Sequence, residues 1–173
     1  MTERQGLITI HGNPLTLVGE TIQAGMPAPD CELLDNDLNA VKLSSFQGKV
    51  VILTSVPSLD TPVCDLETRR FNDEAGMLGP DVQILTVSMD LPFAQKRWCG
   101  AAGVEKVKTL SDHRQAEFGQ AYGVLIKELR LLARAVFILD RTGTVRYVQL
   151  VKEVASEPNY EEVMLALKDV LAG

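Results

Sequence analysis

Val50-Val51-Ile52-Leu53-Thr54-Ser55 runs directly into Val56-Pro57-Ser58-Leu59-Asp60-Thr61-Pro62-Val63-Cys64, and this junction decides how the chain folds. Lys49 to Ser55 is almost continuously apolar, the pattern of a strand buried on both faces. Thr61 offers a helix N-cap, and Pro62 suits the first helical position. Cys64 then falls in the first turn, beside unpaired backbone N–H groups and the positive end of the helix dipole. Thiols in such places ionise more readily than free ones. The strand's exit therefore carries a candidate nucleophile.

Outward from this junction, the pattern predicts a helix over Pro62 to Leu78. Val63, Leu66, Ala75 and Leu78 are expected on its buried face, with Gly76 and Gly79 at its end. Val82 to Met89 reads as a second apolar strand, Pro92 to Ala102 as a short helix and Val107 to Leu110 as a short strand. Glu117 to Tyr122 reads as helix stopped by Gly123. Ala135 to Leu139 and Val145 to Leu150 read as strands joined by the turn Asp140-Arg141-Thr142-Gly143, and Tyr160 to Leu171 as an amphipathic helix. Upstream, Leu7 to Ile10 and Leu15 to Val18 flank the turn-like His11-Gly12-Asn13-Pro14, an N-terminal hairpin. Gly25 to Asp30 reads as extended linker. Cys31 to Leu34 and Ala40 to Leu43 read as short strands. The order β-α-β followed by β-β-α is that of the thioredoxin fold, with helices expected on both sheet faces. The expected architecture is one α/β domain spanning residues 1–173, with a central mixed sheet and an N-terminal hairpin extension over 1–19.

Composition narrows the function. A net charge of −6 disfavours phosphate backbones, so nucleic acid is not an expected partner, nor is a polybasic membrane anchor. No apolar run reaches the roughly 20 residues of a membrane span. The start of the chain does not read as a signal peptide, and a cytoplasmic location is the expectation. The three cysteines, Cys31, Cys64 and Cys99, form no C-x-x-C, and the two histidines, His11 and His113, lie far from them in sequence. Neither a structural zinc site nor a static disulfide framework is expected.

Several residues join Cys64 as candidates. The Thr61 hydroxyl, three residues earlier, is placed both to cap the helix and to donate to the sulfur or to an oxygen bound beside it. Pro57 is placed to shield the sulfur from water. Arg134 opens the apolar strand Ala135 to Leu139. Its guanidinium would be a fixed cation beside the sulfur, with Arg69, Arg70 and Arg130 as rivals. Cys99 reads either as a core residue or as a partner thiol, and Cys31 as structural. Asp65 and Glu67 favour the helix N-terminus, yet must point away from the sulfur if Cys64 is to ionise.

The run Pro57 to Cys64 matches the P-x-x-x-T-x-x-C signature of peroxiredoxins, and its continuation to Asp65 resembles the thiol peroxidase branch. Asp90-Leu91-Pro92-Phe93-Ala94-Gln95-Lys96-Arg97-Trp98-Cys99-Gly100 is similar to that branch's segment bearing a second cysteine. Ala133 to Asp140 is similar to its arginine-bearing strand. The resemblance implies that Cys64 is the peroxidatic nucleophile. Thr61 and Arg134 would stabilise thiolate and peroxide, and Pro57 would close the pocket. Cys99 would resolve the intermediate as a Cys64–Cys99 disulfide, as in atypical two-cysteine peroxiredoxins. It further implies peroxide substrates, thioredoxin as reductant, a homodimer and no cofactor or metal. Two other readings stay open: a thiol–disulfide oxidoreductase, which would normally carry C-x-x-C, and a peroxide sensor or holdase.

Overall fold

The computed structural model describes residues 2–104 and 106–173. Strand β5 (Val50–Ser55) lies inside a seven-stranded mixed sheet. The other strands are β3 (Glu32–Leu34), β4 (Ala40–Lys42), β6 (Val82–Ser88), β7 (Val107–Ser111), β10 (Ala135–Leu139) and β11 (Val145–Leu150), in the order β11-β10-β5-β6-β7-β3-β4. β5, β6 and β7 are parallel, while β10 runs antiparallel to β5. All six residues of β5 are buried. Val51 and Leu53 face one apolar cluster and Val50 and Ile52 the other, the two-residue alternation of a strand covered on both sides.

Three helices line the second cluster: α1 (Pro62–Leu78) through Phe71, α2 (Pro92–Ala102) through Trp98 and Ala102, and α4 (Tyr160–Ala172) through Val163, Leu167 and Val170. The opposite face is covered by α3 (Glu117–Ala121), through Phe118, and by a second sheet. That sheet pairs β1 (Glu3–Ile10) and β2 (Asn13–Val18), the expected hairpin, with β8 (Leu125–Ile126) and β9 (Leu131–Leu132). The two-residue strands β8 and β9 were not expected, since two residues carry no readable periodicity. They dock the hairpin onto the body. The close approach is visible at Gly123, where a Cβ would lie 2.2 Å from the Glu20 carbonyl oxygen.

The expected buried face of α1 is corrected. Leu66 is exposed and Val63 only half-buried; among the described residues the buried ones are Cys64, Glu67, Thr68 and Phe71, spaced i, i+3, i+4, i+7, and the Ala75 side chain lies outside the described residues. Hydrophobicity alone misplaces this face because two of its four residues are polar. Their costs are offset locally: Thr68 donates its hydroxyl to the Cys64 carbonyl at 2.8 Å, and Glu67 finds a cation.

The β10–β5 register places Ala135 opposite Ser55, so the preceding residue, Arg134, reaches the end of β5 where the Cys64 loop departs. Ser55 fixes this corner, its buried hydroxyl donating to the Ala133 carbonyl at 2.7 Å. Ser55→Ala leaves that carbonyl unpaired, and urea unfolding should show a loss of about 1–3 kcal/mol.

Candidate active site

Pro62 stands at the start of α1, and Cys64 lies in its first turn with no exposed surface. Its side chain packs with Val56 and Leu59, and the Trp98 ring lies against this cluster. Pro57 is buried on the same loop. The loop is tied down by Asp90. That carboxylate accepts from Ser58 Oγ at 2.6 Å, from the Leu59 N–H at 2.8 Å and from Ser88 Oγ at 2.7 Å. Asp90 thus links the end of β6, the Cys64 loop and the entry to α2. Asp90 had no individual role in the sequence reading, because its partners come from the distant Cys64 loop and from the end of β6.

Thr61 occupies the N-cap position with extended backbone, but its side chain does not cap the helix. Its hydroxyl donates to the Ser58 carbonyl at 3.0 Å instead, while its own carbonyl accepts the first helical bond from the Asp65 N–H at 2.9 Å. The expected cap is therefore corrected. The tight turn Ser58-Leu59-Asp60-Thr61 directs the hydroxyl to the Ser58 carbonyl, and the hydroxyl oxygen accepts from none of the N–H groups in the first turn of α1.

Arg134 is 1 % exposed. Its Nε and Nη2 donate to the Val154 carbonyl at 3.2 and 2.9 Å, and its Nη1 donates to Glu67 Oε2 at 2.7 Å. Burial pulls the guanidinium's affinity for its proton down. Glu67 and Cys64, both beside it, push it up by more, so the cation is held. The rivals are elsewhere: Arg69 and Arg70 are exposed and paired with Asp65 and Glu74, and Arg130 is exposed.

Asp65 gives its carboxylate to Arg69 Nε at 2.9 Å and Trp98 Nε1 at 2.8 Å. Glu67 does not leave the site: it is fully buried and neutralises Arg134. Its Oε1 finds no partner among the described residues. Burial pushes its carboxyl up, to about 7, against the pull of Arg134. Its position one turn after Cys64 was the only sequence signal for this role, and it was read as a hindrance. Cys99, on α2, is half-buried with its Sγ 3.4 Å from Thr109 Oγ1, and it lines a cleft with Asn36, Lys106 and Lys108. All three cysteines are free, and the fold does not join Cys64 to Cys99. Cys31 is buried in the core, where burial and nearby carboxylates push its thiol far up. Among the described residues, no three His, Cys, Asp or Glu side chains gather to hold a metal ion, and no helix is long and apolar enough to cross a membrane.

This arrangement defines a class: a thioredoxin-fold protein with one buried cysteine at a helix start, facing a buried arginine. Comparison with known proteins makes the assignment specific. The redoxin family model matches residues 23–164. A thiol peroxidase of Bacillus subtilis (strain 168) is 55% identical over 161 residues, covering 93% of this chain and 96% of that protein. One from Staphylococcus aureus (strain MRSA252) is 50% identical over 163 residues, covering 94% and 98%. The crystal structure of a peroxiredoxin-like protein from Aquifex aeolicus superposes with a TM-score of 0.89 at 42% identity, covering 96% and 98%. The chain belongs to the redoxin family and, within it, to the peroxiredoxin-type thiol peroxidases.

Glu67 gives the site a pH signature. An unfolded glutamate loses its proton near the ordinary 4.5 and the folded Glu67 near 7, so between these the folded state holds the extra proton. Stability therefore falls as pH rises through that window, by up to about 1.4 kcal/mol per pH unit. Urea unfolding of Glu67→Gln at pH 5 and pH 7.5 should show this component gone.

Proposed function

We propose that this thiol-dependent peroxidase reduces hydrogen peroxide and organic hydroperoxides through Cys64. The observation that carries the reading is the buried Arg134 guanidinium, charged and hydrogen-bonded beside a cysteine in the first turn of α1. The Cys64 thiolate attacks one peroxide oxygen; an S–O bond forms, the O–O bond breaks and sulfur becomes sulfenic acid. The departing oxygen takes a proton and leaves as water or an alcohol. Arg134 stabilises the anion at both ends of this exchange. Thr61 turns its hydroxyl from Ser58 to the bound peroxide, and Pro57 keeps water from the sulfur.

Cys99 then attacks the sulfenic sulfur, forming the Cys64–Cys99 disulfide and releasing water. An external dithiol, thioredoxin by family likeness, restores both thiols by exchange. The remaining assignments rest on the same likeness: a single domain over 1–173 acting as a homodimer in the cytoplasm, with no cofactor. The oxidoreductase alternative is weaker because Thr61 and Glu67, not cysteines, stand three residues either side of Cys64. The absence of insulin reduction would remove it. A one-shot sensor would fail to turn over with excess peroxide and reductant.

Thiol counting with peptide mapping after one equivalent of hydroperoxide tests the cycle. Wild type should lose two thiols and yield a Cys64–Cys99 bridge. Cys99→Ser should trap a Cys64 sulfenate, and Cys64→Ser should be inert. Arg134→Met should slow sulfenate formation on the order of 10²-fold. A fast loss of thiols in Cys64→Ser would overturn the assignment.

A further inference from the structure

The Arg134 guanidinium directs two of its donors, Nε and Nη2, at one acceptor, the Val154 carbonyl. That carbonyl aims the cation as much as Glu67 does. Yet Val154 lies in the stretch Val151 to Ser156, which follows β11 and belongs to neither helix nor sheet. Arg134 grips this stretch from one side, its own carbonyl also accepting from the Val151 N–H at 3.0 Å. The opposite side is held by the N-terminal hairpin.

Thr9 of β1 forms a one-residue parallel bridge with Glu153. Its N–H donates to the Lys152 carbonyl at 2.7 Å, and its carbonyl accepts from the Val154 N–H at 2.8 Å. The Glu153 carboxylate completes the junction. Its Oε1 accepts from the Thr9 hydroxyl at 3.1 Å and from the Gly12 N–H at 3.0 Å. Gly12 presents that N–H from a two-residue turn in which His11 and Gly12 both have positive φ, 49° and 79°, as a type I′ hairpin requires. The other oxygen, Oε2, accepts from the Ala155 N–H at 2.8 Å. The peptide joining Val154 to Ala155 is planar, so its N–H and C=O are fixed in opposite directions. Glu153 therefore holds one end of this rigid unit while Arg134 binds the other. The Ala155 and Gly12 N–H groups keep the Glu153 carboxyl down at about 2, so the anion persists at neutral pH.

We propose that Glu153 is a positioning residue for the peroxide reaction: by tying the Val154–Ala155 peptide to the hairpin turn, it sets the direction from which Arg134 faces Cys64. This role rests on the Cys64 chemistry above and extends it to residues that touch no reacting atom. The N-terminal hairpin is then part of the device that aims the cation. Without the carboxylate, the Val154 carbonyl can turn with its peptide. Arg134 would stay paired with Glu67, so the charge would remain buried but wrongly directed. A small misplacement of a charge-stabilising group slows a reaction without dismantling the site.

Loss of the Cys64 thiol after mixing with hydroperoxide is followed by quenched-flow alkylation and peptide mapping. Glu153→Ala should slow it on the order of 10-fold, less than removal of the guanidinium itself, and Glu153→Gln, which keeps one acceptor oxygen, should recover part of the rate. In an Arg134→Met background, Glu153→Ala should have no further effect, because a residue acting through the guanidinium then has nothing to position. The Arg134 Nε–H provides a second readout. Its nitrogen–proton resonance, slow to exchange in wild type, should shift and exchange faster in Glu153→Ala, and this comparison decides the question where Arg134→Met does not fold. Glu153→Gln, the milder change, carries the same comparisons where Glu153→Ala does not fold. An unchanged rate, an unchanged Nε–H resonance or equal slowing in both backgrounds overturns the positioning role and leaves the Cys64 chemistry standing. A wild-type Cys64 thiol that survives hydroperoxide overturns both.

Discussion

A guanidinium that is 1 % exposed must be neutralised and have its donors used, and this requirement organises the site. Arg134 meets it with a carboxylate from α1 and a carbonyl from the segment after β11, and lies beside the Cys64 side chain. Taking either ion out of water costs several kcal/mol, and removing one partner from such a pair typically costs 3–5 kcal/mol. The pair is therefore a poor way to gain stability. What it provides is a fixed positive charge in a dry pocket, where it acts on developing anions more strongly than it would in water.

The price of that charge recurs in the neighbouring architecture. Glu67 is buried with one oxygen that has no partner among the described residues and its carboxyl raised towards neutrality, a cost carried by the helix that also delivers the cysteine. Because Cys64 and Glu67 are one turn apart on α1, the thiol and the anchor of the neighbouring cation sit on one rigid element. Asp90 does the same for the loop, binding it to the end of β6 beside α2. The first turn of α2 is thus continuous with the Cys64 pocket. Its last turn packs Trp98 and Ala102 against the second apolar cluster and adds the Asp65–Trp98 and Arg69–Ala102 hydrogen bonds.

Much of this was legible beforehand for physical reasons. The β5 strand, the α1 and α2 boundaries and the β10–β11 hairpin follow from runs of apolar residues ended by Pro, Gly and turn residues, which are local signals. Cys64 was legible because a strand followed by Thr-Pro-x-Cys fixes a helix start from covalent neighbours alone. Arg134 was one of four candidate arginines; its burial emerges only when β10 pairs with β5. The buried face of α1 was misread because Glu67 and Thr68 look like surface residues until their partners are known. The Thr61 cap failed for a similar reason, since a turn carbonyl three residues back competes for the same hydroxyl.

By itself, then, the sequence determined the element order, the placement of one cysteine at a helix start and the presence of a second cysteine on the next helix. These depend on neighbours within a few residues, and local propensity and periodicity encode them. The tertiary structure alone decided which arginine faces the sulfur, which acid neutralises it and which side of α2 holds Cys99. Those outcomes depend on contacts between residues 33 to 67 positions apart, such as Asp65 with Trp98 and Glu67 with Arg134. A buried charge accepts whichever partner the packed sheet and helices bring within hydrogen-bonding distance, and no spacing along the chain specifies that distance.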